Sequence, residues 1–396
     1  MGDFMFYDRQ PEEKKNNYKN MLKIVGSLSR IYSESDEPYL YYRCHENIFC
    51  KYFDADNLSR EDCSADAKKD NVGVGLKTWV GADNQKVAEF NRLRTTYQGL
   101  PSLEMVKRVS EYRNERIRVT KNLHGINEMI YHIVKRIPNI MQIYECSFDS
   151  IDIEHITILE DRTNANNIYF TDNNHIYHFN ISKSTLYMLF ENMDLLDSFE
   201  IDILNDPYSY LEGLFENNTE ILATVANVMV PEIEPRNEER LCLRLYTIDR
   251  STGIKTVQER SGLNQWNASG RVRDPNEIYI PYPADDRRRS EGFFPSRDTQ
   301  FNLHLPDGNV ITAKVCQEDG KAIMSNPNKV LGKWLLRDVF ELPEGTVLTY
   351  EMLERFGVDS VIFTKLGELE YKIEFTDIGT YESMIQDGVQ IDETEY

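Results

Sequence analysis

The sequence predicts two domains: an α/β (α+β) domain built on a mixed sheet flanked by helices, then an all-β pseudobarrel carrying two short helices. Three observations predict it. The chain has 396 residues, more than a single core ordinarily serves. Segments with apolar residues at three-to-four spacing alternate with β-rich segments over residues 1–232, whereas short strands between turn residues dominate 237–380. Between them PEIEPRNEER (231–240) is polar and carries two prolines, which suits a domain boundary.

Residues 13–33 read as an amphipathic helix with Tyr18, Met21, Leu22, Val25, Leu28 and Ile31 on one face, and 45–52 as a second short helix. In VGVGLKTWV, Val72, Val74, Leu76 and Thr78 alternate as in a strand. Residues 84–97 read as helix. Ser102 suits the N-cap of a long helix reaching about 136, with Met105, Val106, Val109, Ile117, Leu123, Ile126, Ile130 and Ile133 as its apolar positions. From 140 to 205 the chain turns β-rich, with Asn/Asp turns, and 208–229 return to helix. Beyond the boundary LCLRLYTID, EIYIPYP, QFNLHLPDG, NVITAKVCQ, SVIFTKL and EYKIEFTD read as strands, interrupted by helices at about 328–340 and 349–356. DDRRRSEG (285–292) reads as an exposed loop, and 381–396 as an acidic, loosely ordered tail.

The net charge of −21 would ordinarily count against a nucleic-acid partner. Divided by position it does not. Residues 1–150 carry +1, 151–250 carry −13, 251–350 are neutral and 351–396 carry −9. The neutral blocks hold local basic runs, Arg113, Arg116, Arg118 and Lys121 in one, Arg271, Arg273 and Arg287–Arg289 in the other. A solvated face explains such runs as readily as a phosphate contact. Six scattered cysteines without a CxxC pair suit free thiols in a reducing cytoplasm. Neither a membrane-spanning apolar run nor a signal-peptide order is expected from the sequence. Cys44, His45, Cys50 and Cys63 lack the paired spacing of a zinc site.

Several stretches resemble the C-terminal DNA-recognition domain of NgoFVII-type restriction endonucleases, a pseudobarrel related to the plant B3 fold. They are SGLNQW (261–266), PNEIYIPYP (275–283), FFPSRDTQFNLHLPDG (293–308), QEDGKAI (317–323), NPNKVLGKWLLR (326–337) and LERFGVDSVIFTK (353–365), in the family's order. The resemblance implies double-stranded DNA as partner, two arms gripping the major groove near 261–273 and 321–337, and a companion DNA methyltransferase in the same restriction–modification system. It implies DNA contacts from Asn264, Gln265, Trp266, Lys321, Asn328, Lys329 and Lys333, with Arg271 and Arg273 beside them. Asn, Gln and Arg are side chains that read purine edges bidentately. Ordinary turn chemistry also accounts for each, and a barrel plug for Trp266.

Relatives with this domain often carry a phospholipase-D-like nuclease, whose His-x-Lys motif is missing here: His132 precedes Lys135 by three positions. The N-terminal part instead resembles a PD-(D/E)XK nuclease. Asp66 precedes the glycine-rich strand that carries Lys77, and on neighbouring strands the two can meet at one sheet edge. The resemblance implies Mg²⁺ held by Asp66, with Lys77 orienting the attacking water or stabilising developing charge. Gly75 occupies the place of the second acid. Glu46 from the preceding helix, or Glu89, would supply it, with Asp62 and Asp70 as alternatives to Asp66. Arg113 and Arg116 could clamp phosphates from the long helix, or pair with Glu111 and Glu115 along it. The expectation is a Mg²⁺-dependent type II restriction endonuclease, dimeric if it cuts a palindrome. The alternative is a non-enzymatic sequence-specific DNA binder with an N-terminal oligomerisation or effector module.

Overall fold

A computed structural model describes residues 5–58, 63–191, 193–217, 239–249 and 251–385. Asp62, most of the expected boundary at 231–240 and tail residues 386–396 lie outside the described residues. The chain forms two compact units. The first comprises 1–59, 65–113 and 126–237; the second comprises 60–64, 114–125 and 238–396.

The first unit opens with helices α1 (Glu12–Ser27) and α2 (Tyr42–Phe53), followed by strands β1 (Asp56–Asn57), β2 (Ala67–Lys69), β3 (Val72–Val80) and β4 (Asn84–Glu89). A short helix α3 (Arg94–Tyr97) and the long α4 (Ser102–His124) lead to β5 (Glu128–Ile137) and β6 (Ile140–Ser147). Strands β7 (Thr157–Ile158), β8 (Asn167–Thr171), β9 (Ile176–Asn180), β10 (Thr185–Leu189) and β11 (Asp194–Glu200) follow, then helix α5 (Pro207–Asn217). A mixed six-stranded sheet has the order β1-β2-β3-β5-β6-β11, in which β3 and β5 run parallel. Such a parallel pair needs a crossover, which α4 lies within. A second, antiparallel sheet has the order β4-β10-β9-β8-β7.

Alternation along β3 decides what each face carries. Val72, Val74 and Leu76 join Phe49 and Phe53 of α2 and Tyr18 and Leu22 of α1 in one core. The opposite face receives Gly75, Lys77 and Trp79. Residue Gly75 has its reason in packing: a Cβ there would lie 2.8–2.9 Å from the rings of Tyr131 and Phe148, which stack at 4.0 Å.

Three local expectations change. The stretch 84–97 is not one helix, because Asn84–Glu89 pairs with β10 and shows no helical apolar stripe. The long helix stops at His124, where Gly125 takes φ +62°. Ile130 and Ile133, spaced as on a helix, are instead buried on β5. Residues Ala284–Arg289 form a short helix, not a loop. Asp285 and Asp286 in its first turn and Arg287–Arg289 in its last match the helix dipole.

The second unit is built on a seven-stranded sheet. Its strands are β12 (Arg240–Arg244), β15 (Ile280–Pro281), β16 (Gln300–His304), β17 (Val310–Cys316), β18 (Ala322–Ser325), β19 (Val358–Gly367) and β20 (Glu370–Asp377), with β13 (Thr247–Ile248) and β14 (Lys255–Thr256) forming a separate hairpin. The order β12-β19-β20-β16-β17-β18-β15 brings its two ends close, so the sheet is nearly closed like a barrel. Phe294, Phe301, Leu303, Val361, Phe363, Tyr371 and Ile373 fill it. Helical segments at Val330–Gly332, continuing as a π-helix over Lys333–Val339, and at Tyr350–Phe356 cover it, where the sequence places two helices. Of the tail, Tyr381 is buried and Glu382 pairs with Lys255 at 2.6 Å.

Candidate functional site

In the first unit Asp66 sits one residue before β2. Its N–H bonds to Val74 O at 2.9 Å and its C=O accepts from Leu58 N at 3.0 Å, so its backbone extends the ladder. Its carboxylate then takes the next free donor of β3, the N–H of Leu76, at 2.7 Å. That bond holds the carboxylate at the strand edge, next to Lys77. Burial raises the Asp66 pKa; the charges of Lys77 and Arg43 and the Leu76 N–H oppose the rise.

Glu46 approaches from α2, which packs across β1, β2 and β3. Its carboxylate is almost fully buried and pairs with Arg43, one helical turn earlier, at 3.1 Å. The thiol of Cys50, the next turn on, is pushed up to about 12, first by burial and then by the charges of Glu46, Asp56 and Asp66. The charge of Arg43 thus acts on both Glu46 and Asp66. Glu89 lies elsewhere: it ends β4 in the other sheet and pairs with Lys86 at 2.5 Å. Asp70 is an exposed turn residue with φ +53°. Arg113 is buried; it donates to Asp149 O at 2.7 Å and to the Tyr131 hydroxyl, and lies over the Phe148 ring. A phosphate clamp would need that guanidinium exposed.

Mg²⁺ is ordinarily held by one or two carboxylates completed by water and substrate phosphate. Asp66 and Glu46 both carry the hard oxygen donors that suit the ion. Among the described residues no group of three or more His, Cys, Asp and Glu side chains could hold a metal. The place usual for a further acid, Gly75, is filled by the Tyr131–Phe148 pair.

In the second unit the residues of SGLNQW hold the loop together. Asn264 is fully buried; its amide nitrogen donates to Leu348 O at 2.8 Å and Gln258 O at 3.1 Å, and its oxygen accepts from Leu348 N at 2.9 Å. Trp266 packs on the barrel core, with its Nε1 buried and unbonded among the described residues. Gln265 donates to Glu277 at 3.3 Å, and the buried Glu277 carboxylate also receives Arg271 and, at 3.6 Å, Arg273. Arg273 further closes the loop onto Ala268 O at 2.7 Å. Arg116 donates to Arg355 O at 3.4 Å.

Lys321, Asn328, Lys329 and Lys333 differ from these. All four are exposed, and among the described residues their side chains carry no hydrogen bond or ion pair. Lys329 and Lys333 are one helical turn apart around Val330–Gly332. Gly332 lets that turn approach the chain closely: a Cβ would lie 1.9 Å from Asn276 O. Three uncompensated cations suit an anionic backbone better than any partner of their own unit.

Sequence reasoning passed over Arg43, whose signal was its spacing of three from Glu46 on a helix. It also passed over Glu277, a buried acid that gathers Gln265, Arg271 and Arg273. No helix among the described residues is long and apolar enough to cross a membrane.

A comparison with curated proteins finds no match. Residues 243–367 match the family model of the NgoFVII C-terminal B3-like DNA-binding domain. The nearly closed sheet is consistent with that fold, and the match supports double-stranded DNA as the partner and relates this part of the chain to the DNA-binding domains of restriction enzymes.

Proposed function

We propose that the protein is a site-specific deoxyribonuclease of the restriction type, which reads duplex DNA with residues 239–385 and hydrolyses it with the first unit. The observation that carries the DNA-reading half is the match over 243–367 onto a nearly closed barrel with exposed Lys321, Lys329 and Lys333. The cutting half is supported by Asp66, on which the charges of Lys77 and Arg43 both act and whose carboxylate the Leu76 N–H holds in place.

In this reading Asp66 and Glu46 would hold Mg²⁺, which would supply charge neutralisation and a lowered water pKa. Lys77 orients the attacking water by donating a hydrogen bond to its oxygen, and stabilises the negative charge that develops on phosphate oxygen. The Leu76 N–H keeps the Asp66 carboxylate from turning away. Lys321, Lys329 and Lys333 engage phosphates and set register, while Asn328 is the exposed amide able to read a base edge. A cognate methyltransferase would protect the host site, and a dimer would cut both strands.

A second reading, a sequence-specific binder without cleavage, is favoured by the filled space at Gly75 and the lack of a three-ligand group among the described residues. Incubating the full chain with plasmid DNA in Mg²⁺ or in EDTA separates the two. Discrete Mg²⁺-dependent fragments support the nuclease. Specific retardation with intact DNA supports the binder and overturns cleavage.

A further inference from the structure

The hairpin of β17 and β18 is closed by the pair Cys316–Ala322, so residues 317–321 form its loop. The loop turns through left-handed backbone at Gln317 (φ +66°), Asp319 (φ +56°) and Gly320 (φ +68°). Gln317 combines its φ with ψ 174°, a conformation that glycine enters and other residues avoid. A glutamine kept there places its half-buried side chain against another loop: Gln317 Nε2 donates to Gln265 Oε1 at 3.4 Å, 52 positions away. Gln265 Nε2 donates in turn to Glu277 Oε1 at 3.3 Å. This chain fixes the sense of both amides. Glu277 is buried, paired with Arg271 and Arg273, and as a carboxylate it only accepts. Gln265 must therefore turn its amide nitrogen to Glu277 and its oxygen to Gln317, which gives one N–H to that oxygen. Among the described residues the Gln317 side chain makes no other hydrogen bond, so one N–H donor and the carbonyl acceptor remain on it.

We propose that Gln317 reads an adenine in the major groove, with Gln265 and Glu277 as positioning residues that fix the sense of its amide. This rests on the reading of residues 239–385 as the DNA-reading unit. Adenine is the base whose major-groove edge sets an acceptor, N7, beside a donor, the N6 amino group, and a glutamine amide bonds both at once. Guanine sets two acceptors there, so the amide oxygen would meet an acceptor. Lys321, exposed and unpaired among the described residues, ends the same loop and suits a phosphate of the strand whose base Gln317 reads.

The test is competition binding of the full chain in EDTA, on a duplex that the wild-type protein selects from a random pool, with each base replaced in turn. At one adenine, wild type is expected to lose about tenfold or more in affinity with 7-deazaadenine, which lacks the N7 acceptor, and with unsubstituted purine, which lacks the N6 amino group. Gln317→Met, of similar length without the amide, is expected to bind adenine and both analogues alike at that position. It is expected to keep every other base preference and the wild-type salt dependence, which loss of a phosphate contact would change. Gln317→Gly suits the backbone conformation and gives the same reading in a variant whose fold is not at risk. Gln265→Met is expected to weaken the same single preference, because the Gln317 amide can then turn over; a merely structural role would weaken all positions together. If the folded Gln317 variants keep the wild-type preference at every position, or the selected sequence requires no adenine, the role of Gln317 is overturned and the DNA-reading unit stands. If wild type selects no sequence from the pool, the DNA-reading proposal falls and the inference with it.

Discussion

Asp66 Oδ2 accepts a 2.7 Å hydrogen bond from the backbone N–H of Leu76, the residue between Gly75 and Lys77 on β3. Asp66→Asn keeps an acceptor for that bond and removes the charge. Specific duplex binding is expected to persist while cleavage falls by on the order of 10²-fold or more, given the several kcal/mol that metal chemistry contributes. Single-turnover rates on a plasmid check this. Equal rates for the two proteins would remove Asp66 from the chemistry.

Gly75→Ala should destabilise the first unit. The new methyl would lie 2.8 Å from Tyr131 Cδ1 and 2.9 Å from Phe148 Cε1, in a stacked pair that Arg113 covers. Overpacking of this kind costs about 1–3 kcal/mol. Urea denaturation measures it. An unchanged midpoint would mean that the rings move aside and that an acid at 75 is not sterically barred.

Asn264→Ala is expected to act on stability. It removes three hydrogen bonds and leaves the buried Leu348 N–H and C=O without their partner, which costs about 1–3 kcal/mol. Paired measurements of the melting temperature and of competition binding check it. Normal stability with impaired sequence discrimination would instead make Asn264 a base-reading residue.

Lys329→Ala and Lys333→Ala should leave the fold intact, because both side chains are exposed. For every phosphate deprived of its lysine, the slope of log affinity against log salt should become shallower by about 0.9. Slopes identical to wild type would place the DNA elsewhere on the unit.

His45 is fully buried with its Nε2 2.9 Å from the Tyr18 hydroxyl, and burial, followed by the charges of His132 and Arg136, holds its pKa well below the usual value. The unfolded chain binds the proton at about pH 6.5 and the folded one only at lower pH. Stability from this group is therefore complete above about pH 6.5 and declines on acidification, by up to about 1.4 kcal/mol per pH unit. His45→Gln should flatten that part of the urea-midpoint profile; a profile as steep as wild type would assign the slope to another group.

Much of the fold is legible in the sequence because burial imposes periodicity. Val72, Val74 and Leu76 alternate because one face of β3 is core, and the turn signals around 261–377 mark strands that are present. The errors have local causes. Ile126, Ile130 and Ile133 repeat at helical spacing, yet Gly125 ends the helix and pairing with β3 makes the rest a strand. The Asn84–Glu89 strand depends on β10, a partner some 100 residues away that no local pattern reveals. At the candidate site, spacing leads to Asp66 and Lys77 because strand neighbours follow from register. Arg43 escapes notice because its importance depends on how α2 packs over β3. Asn264 reads as a candidate DNA contact because a polar turn residue that bonds Leu348, 84 positions away, looks the same in sequence as one that faces solvent.

The most direct measurement is to map the ends of the DNA produced by the full chain in Mg²⁺ and, in parallel, the DNA protected by Asp66→Asn. Cut ends at a fixed offset from one sequence, and protection of that same sequence without cutting by the variant, are the expected result. Protection of one sequence by both proteins, with no ends produced by either, would show a DNA binder and contradict the assignment of cleavage to Asp66 and Lys77.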